Sequence, residues 1–248
     1  MSKENNLHDF LTDLADSIRE VEGSTDPINP QDFSDRVKAI GTNSGAFGAT
    51  ATLTALIEGS LTEITSNATK VGGRSLGQSN ALTSVNLPNA TSIAEYAFSN
   101  CEALTSVNLP SAETILTWAF YRCYALTSVN LPSAKEFGEG VFNECRVLTS
   151  VNLPSINSIP YRTFSSCYSL KKVIIGTNLT TVATLENDNA FENCYHIHGT
   201  VNATYNPTGA KDGYIYVPDN LVDSYKKAAR WITHASQIKG ISELPTEE

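Results

Sequence analysis

The sequence predicts an α/β repeat protein in which similar coils stack into a solenoid. Cys101, Cys123, Cys145 and Cys167 lie 22 residues apart, and Cys194 follows after 27. Leucine, valine, proline and phenylalanine positions recur with the same period. A fixed period in this range indicates stacked repeats, because one short repeat cannot bury its apolar face without a neighbour.

Each coil combines two kinds of local pattern. Val85-Asn86-Leu87 alternates apolar and polar residues, which predicts a short strand with the apolar side chains inward. Pro88 has no backbone donor and therefore ends the strand. Phe98 and Cys101 have helical spacing, which predicts one short helical turn. The strands are expected to stack about 4.8 Å apart into one parallel sheet.

The period also predicts the division of the chain into regions. Residues 61–196 form the solenoid, with a capping coil at 61–81, where Ser79 replaces the cysteine, and five coils at 82–196. Residues 1–42 form a helical module for attachment or oligomerisation. Residues 43–60, rich in small residues, form a linker.

Residues 197–248 are predicted to cap the open end of the stack. Residues 196–199 indicate one more short strand, and the aromatic and β-branched content of Tyr214–Val217 predicts another. A helix capped by Asp219 or Asn220 follows, and its apolar side runs to Trp231.

The amino-terminal module has two amphipathic helical patterns. Short helices with single apolar stripes do not form a stable core alone. They must therefore pack on the solenoid, on each other in an oligomer, or on another protein. The residues predicted to mediate this assembly are Leu7, Phe10, Leu14, Ile18, Phe33, Val37 and Ile40.

The motif L-T-S-V-N-L-P followed by A-F-x-x-C, as in 97–101 and 119–123, resembles the BspA-like (Treponema-type) leucine-rich repeats. The resemblance implies a right-handed leucine-rich-repeat solenoid with a parallel sheet on one face. It also implies binding and not catalysis, in a family common among bacterial surface adhesins and found in phage and prophage proteins.

A second, shorter resemblance concerns the amino terminus. Residues 13–19 followed by 28–33 are similar to amino-terminal segments of some phage and prophage tail-associated proteins. The two resemblances together imply a phage tail-associated or surface-exposed protein that recognises a host-surface ligand. A structural virion component, with the solenoid as spacer or decoration, and a bacterial adhesin are the alternatives.

Composition and motifs argue against other functions. There is no nucleophile elbow, phosphate loop or zinc-protease helix motif, so neither an enzyme nor a cofactor is predicted. A net charge of −9 argues against nucleic acid. No apolar run approaches about 18 residues, which argues against membrane insertion. Met1 opens on polar residues and not on a secretory signal, which favours a virion-associated protein made in the bacterial cytoplasm over one on the bacterial cell surface.

Two groups of residues contain potential metal ligands. Cys194, His196 and His198 lack the second ligand pair of a typical zinc site. The acidic stretch 186–189, with Glu192, has oxygen ligands that suit calcium but equally suits a solvated loop. No metal is predicted, and the cysteines are interpreted as buried, reduced packing residues.

Comparison of the coils predicts where a ligand binds. The outward strand positions are uniformly serine and asparagine, which indicates a structural ladder. The positions around the turn vary and contain the tyrosine, tryptophan and arginine typical of binding hot spots. The alternative is that these rings only shield the convex backbone. The predicted partner is a protein or glycan on a host cell surface, with other virion or self subunits bound through residues 1–42. The predicted ligand-binding residues are Tyr96, Trp118, Tyr121, Tyr124, Arg146, Arg162 and Tyr168.

Overall fold

The computed structural model describes residues 61–66, 68–177, 182–185 and 188–245. Within them it confirms the solenoid. Coils of regular length pair in parallel with an offset of 22 residues, so that Val85 lies opposite Val107, and Val107 lies opposite Val129. The predicted helical module, the linker and the seven assembly residues lie outside the described residues.

The first strand of each coil forms a ladder along the stack. In the S-V-N strands the central valine points inward, and the serine and asparagine point outward. One four-stranded parallel sheet contains β1 (Glu63–Thr65), β3 (Ser84–Asn86), β5 (Ser106–Asn108) and β7 (Ser128–Asn130). A second contains β9 (Ser150–Leu153), β11 (Lys172–Ile175), β13 (Tyr214–Val217) and β14 (Ile238–Gly240).

Each coil also has a second strand, of two residues, beyond the proline corner. These strands give the solenoid another parallel ladder, where only one sheet was expected. Two residues are too few for an alternating pattern to show in the sequence. The strands are β2 (Lys70–Val71), β4 (Ser92–Ile93), β6 (Thr114–Ile115), β8 (Glu136–Phe137), β10 (Ser158–Ile159) and β12 (Thr184–Leu185).

The helical turn predicted around Phe98 and Cys101 is wrong, because tight turns occupy this part of the coil. Tyr96 and Asn100 have φ of 57° and 58°, a left-handed conformation that a right-handed helix does not contain. The amide of Phe98 donates to the carbonyl of Ala119 in the next coil at 2.8 Å. Every second backbone amide in this segment therefore donates to a carbonyl of the next coil and not to a carbonyl of the same helix.

The core consists of the same side chain repeated from coil to coil. The phenylalanine rings are fully buried and stack with centroid separations of 5.2, 5.6, 5.8 and 5.5 Å. This ladder contains Phe98, Phe120, Phe142, Phe164 and Phe191. It links every full coil to its neighbours through the centre of the molecule.

The cysteines are also packing residues, as predicted. All five are free and buried. Each thiol donates to a backbone carbonyl of the preceding coil, as Cys145 does to Phe120 at 3.2 Å. Burial raises the pKa of Cys101 to about 12 and raises the pKa of the other thiols too. The thiols are therefore neutral donors that satisfy buried carbonyls.

The strand predicted at residues 196–199 is wrong. This segment belongs to a single helical turn, α1 (Tyr195–His198), which ends at Gly199 with φ 71°. The strand predicted at Tyr214–Val217 is confirmed as β13, which pairs in parallel with β11 and extends the first ladder. The strand β14, which follows it in the sheet, was not predicted.

The predicted carboxy-terminal helix is broken. α2 (Val222–Lys227) is short because the backbone of Ala228 is extended, with φ −69° and ψ 147°; Arg230 then has φ 66°, so α2 does not continue to Trp231. Tyr225 and Trp231 are buried against Ala183 of the last coil, whose amide donates to the Tyr225 hydroxyl at 2.8 Å. The 3₁₀ helices of the described residues are Asp188–Phe191, Asp219–Leu221, Trp231–Gln237 and Ile241–Glu243.

Candidate binding surface

The uniform outward face is a structural ladder, as the sequence indicated. Asn108 Nδ2 donates to Asn86 Oδ1, and Asn130 Nδ2 donates to Asn108 Oδ1, each at 2.7 Å. Thr105 Oγ1 donates to the Thr83 carbonyl of the coil before it at 2.9 Å. These polar groups satisfy one another along the stack, so the face is fixed by its own hydrogen bonds.

Two variable columns flank the cysteine positions. The preceding column comes one residue before each cysteine, or before Ser79 in the capping coil. All of its members have positive φ, so the backbone repeats the same conformation in every coil. It contains Gln78, Asn100, Arg122, Glu144, Ser166 and Asn193. The following column comes one residue after the same positions and contains Asn80, Glu102, Tyr124, Arg146, Tyr168 and Tyr195.

The side chains of the following column stack on one another over four coils. The guanidinium carbon of Arg146 lies 4.0 Å from the centre of the Tyr124 ring and 5.8 Å from that of Tyr168. Tyr168 stacks on Tyr195, with centroids 4.8 Å apart and planes 11° from parallel. Tyr205 packs against Tyr168, also at 4.8 Å. All five side chains are partly exposed.

Glu144 joins the two columns. Its Oε2 accepts a hydrogen bond from Arg146 at 2.8 Å, and its Oε1 accepts one from Arg122 Nε at 3.1 Å. The Tyr121 hydroxyl donates to the same Oε1 at 3.4 Å. Burial opposes ionisation of Glu144, but the two guanidinium groups outweigh it and lower the pKa of this carboxyl. Burial and the Glu144 charge raise the pKa of Tyr121, which keeps its hydroxyl protonated.

The Trp118 ring packs against Gly140 of the next coil. A Cβ atom on Gly140 would lie 2.6 Å from Trp118 Cε3, so the indole occupies the space that a side chain would need there. The ring also meets Tyr121 edge to face, with centroids 5.1 Å apart. Trp118 therefore extends the cluster around Glu144 toward the second ladder of strands.

These contacts join five of the seven predicted ligand-binding residues, but not Tyr96 or Arg162. Tyr96 lies beside Arg74, at 5.2 Å, and Arg162 lies over Tyr161, at 4.9 Å. The predicted residues that do come together are Trp118, Tyr121, Tyr124, Arg146 and Tyr168.

Sequence reasoning missed four residues of this cluster. Arg122 and Glu144 lie 22 residues apart, and Tyr195 directly follows Cys194, so the period contained a signal for all three. Tyr205 comes from outside the repeat and had none. We call the complete set the aromatic surface: Trp118, Tyr121, Arg122, Tyr124, Glu144, Arg146, Tyr168, Tyr195 and Tyr205. Its role in ligand binding stays a prediction.

The three potential zinc ligands have protein partners instead. Cys194 donates to a backbone carbonyl, and His196 and His198 lie in or beside a helical turn and not along one strand face. His196 Nδ1 lies 2.6 Å from Asp212 Oδ1, and its Nε2 lies 2.8 Å from the Tyr205 carbonyl oxygen. Across the described part of the chain, no group of three His, Cys, Asp or Glu side chains could hold a metal ion. Glu186 and Asn187, two of the potential calcium ligands, lie outside that part.

No helix among the described residues has the length and apolar character needed to cross a membrane.

The ladders, the turns and the variable columns define a leucine-rich-repeat solenoid. The chain belongs to the BspA type leucine rich repeat family, whose pattern matches six copies over residues 69–198. A search of the curated proteins found no match.

Several solved structures resemble the chain. A leucine-rich repeat protein from Bacteroides ovatus has 23% sequence identity and a TM-score of 0.53, over 72% of this chain and 41% of that protein. A leucine rich cell surface protein from Faecalibacterium prausnitzii has 27% identity and a TM-score of 0.44, over 54% of this chain and 41% of that one. The pneumococcal vaccine antigen PcpA has 18% identity and a TM-score of 0.47, over 72% of this chain and 39% of that antigen. The chain thus spans about two fifths of the length of each protein.

Proposed function

We propose that this protein is a non-enzymatic binding protein and that its ligand contacts the aromatic surface. The observation that carries the proposal is the stack of Tyr124, Arg146 and Tyr168, which Glu144 ties to Arg122. Tyrosine and arginine are the side chains that contribute most binding energy at protein surfaces. Here they are ordered before any ligand arrives, so binding loses little side-chain entropy.

The stacking also defines what a ligand contacts. The faces of the Tyr124 and Tyr168 rings are turned toward their neighbours in the stack, so a ligand meets ring edges, hydroxyls and the outer side of the Arg146 guanidinium. The aromatic surface is therefore a narrow band of ordered side chains with mixed polar and aromatic character. This character suits a protein or a glycan on a host cell surface.

The setting is part of the proposal. Residues 1–42 attach the solenoid to a larger assembly, through self-association or other subunits. The protein is displayed either on a bacterial cell surface or on a virion as a tail-associated component. Membership of the BspA type family supports the first setting, because the resemblance that identified the repeats associates them with surface adhesins.

A structural role is the second candidate. The phenylalanine, cysteine and asparagine ladders make the solenoid uniform along its length, as a spacer or decoration requires. The two candidates differ in whether the aromatic surface contacts a target.

The test measures attachment of the fluorescently labelled full chain to bacterial and epithelial cells by flow cytometry. We expect the double variant Tyr124→Ala/Tyr168→Ala to reduce attachment about tenfold or more, which corresponds to about 1.4 kcal/mol. The matched control is Tyr214→Ala, whose ring lies on β13 beside Lys239 at 3.7 Å and outside the aromatic surface. Equal attachment by the double variant, or no attachment of the wild type to any cell, contradicts the proposal and supports the structural role.

A further inference from the structure

A shallow cavity opens at the amino-terminal end of the two variable columns. It has a volume of about 260 Å³ and is lined by Gln78, Asn80, Asn100 and Glu102. Gln78 and Asn80 flank Ser79, and Asn100 and Glu102 flank Cys101, so the cavity lies between the capping coil and the first full coil. Every lining side chain is an amide or a carboxylate.

The backbone holds this cavity in place through the same hydrogen bonds as the rest of the stack. The amide of Gln78 donates to the carbonyl of Ser99, and the amide of Asn100 donates to the carbonyl of Tyr121, each at 2.7 Å. Gln78 and Asn100 both have positive φ. The Asn100 side chain is oriented by a bond from Nδ2 to Ser99 Oγ at 2.9 Å. The fold therefore fixes the backbone of two of the four lining residues and the side chain of Asn100.

The cavity lies one coil away from the aromatic surface, along the following column. Glu102 and Tyr124 occupy the same column in adjacent coils, and the amide of Ala125 donates to the carbonyl of Glu102 at 3.3 Å. Neighbouring members of a parallel ladder are about 4.8 Å apart. A ligand in the cavity that extends along the column therefore reaches Tyr124 within one coil.

The lining chemistry selects the class of ligand. Amides offer both donors and acceptors, and a carboxylate accepts two hydrogen bonds at once. Adjacent hydroxyl groups on a ring present matching donors and acceptors. A peptide anchor would need an apolar pocket, whereas none of the four lining residues has an apolar side chain. A metal ion would need several carboxylates, whereas Glu102 is the one carboxylate among the lining residues.

We propose that this cavity binds one sugar unit of a neutral saccharide and that the next unit along the chain packs against the edge and hydroxyl of Tyr124. The proposal rests on the proposed function, because it names a ligand class for the same face. Glu102 accepts hydrogen bonds from a pair of ring hydroxyls, and Asn80 and Asn100 bond the remaining ones. The aromatic surface then contacts the extended part of the saccharide.

The experiment uses the full chain and a panel of named probes. The probes are the methyl glycosides of glucose, galactose, mannose and N-acetylglucosamine, together with the linear tetrasaccharide of each sugar. Binding is detected by saturation-transfer NMR and quantified by calorimetry. We expect Glu102→Gln to weaken binding of both the monosaccharide and the tetrasaccharide about tenfold, because a charge-assisted hydrogen bond is lost. We expect Tyr124→Ala to weaken the tetrasaccharide alone.

The matched control is Glu136→Gln, an exposed glutamate on β8. Its binding should equal that of the wild type. If no probe binds, or if Glu102→Gln binds as tightly as the wild type, the sugar-site proposal is overturned. If sugar binding follows this pattern while Tyr124→Ala/Tyr168→Ala leaves attachment to cells unchanged, the sugar site stands and the proposed function fails.

Discussion

The packing of the Trp118 ring against Gly140 predicts a loss of stability whose magnitude follows from the structure. Gly140→Ala places a Cβ atom 2.6 Å from Trp118 Cε3 and Cζ3, so the indole must leave its position. Alanine at φ 60° costs about 1 kcal/mol relative to glycine. Loss of the edge-to-face contact with Tyr121 and of ring packing adds about 1–2 kcal/mol. We therefore expect the free energy of unfolding to fall by about 2–3 kcal/mol.

Two measurements check this expectation. Urea denaturation followed by circular dichroism gives the free energy of unfolding. Tryptophan emission reports the ring itself, because Trp231 is 1% exposed and stays buried in the cap, so a red shift identifies Trp118. We expect the variant to be less stable and its emission to shift toward that of exposed tryptophan.

A double-mutant cycle separates the collision from the backbone strain. In a Trp118→Ala background no ring stands over Gly140, so Gly140→Ala should cost only the left-handed conformation, about 1 kcal/mol. An equal cost in both backgrounds, or an unshifted emission spectrum, would contradict the packing of Trp118 against Gly140.

Two further predictions concern the core. Phe120→Ala leaves a cavity in the phenylalanine ladder, and we expect it to lower the free energy of unfolding by about 3–5 kcal/mol in urea denaturation; a loss below about 1 kcal/mol would contradict the ladder. The raised pKa of Cys101, about 12, keeps its thiol neutral in the fold, whereas the unfolded thiol ionises near its ordinary pKa of 9.0. Stability should thus be unaffected well below pH 9 and fall as the pH rises toward 12, by up to about 1.4 kcal/mol per pH unit for each such thiol. Cys101→Ser introduces the residue that position 79 of the capping coil has, and it should make the free energy of unfolding fall less steeply with pH. An unchanged pH dependence would contradict the raised pKa of Cys101.

The sequence predicted the solenoid because a strict period places each side chain in the same surroundings in every coil. Cys101 and Cys123, for example, both donate to a backbone carbonyl 25 residues before them. The local conformation was harder to predict. The three-residue spacing of Phe98 and Cys101 is shared by a helix and by consecutive tight turns. The positive φ of Tyr96 could not be predicted from the sequence either, because tyrosine rarely adopts this conformation.

The candidate surface was predicted in part for a similar reason. Tyr124, Arg146 and Tyr168 follow the 22-residue period, and Tyr195 continues their column directly after Cys194, but 27 residues beyond Tyr168. Tyr205 lies in a loop that no period describes. That loop is held by the buried Asn206, whose Nδ2 donates to the carbonyl of Tyr195 at 3.1 Å. This tertiary contact has no counterpart in the repeat.

The division between ladders and columns bears directly on function. Backbone hydrogen bonds join adjacent coils even at the variable positions. The amide of Arg122 donates to the carbonyl of Asn143 at 3.0 Å, and the amide of Glu144 donates to the carbonyl of Ser165 at 2.9 Å. These bonds form whatever side chain is present, since the same columns also contain Asn100 and Ser166 with equivalent backbone conformations. Stacking of the coils therefore does not require Tyr, Arg or Glu in the middle of the columns. Their concentration there, in mutual contact on the outside of the solenoid, is the pattern on which we base the proposal that a ligand contacts the aromatic surface.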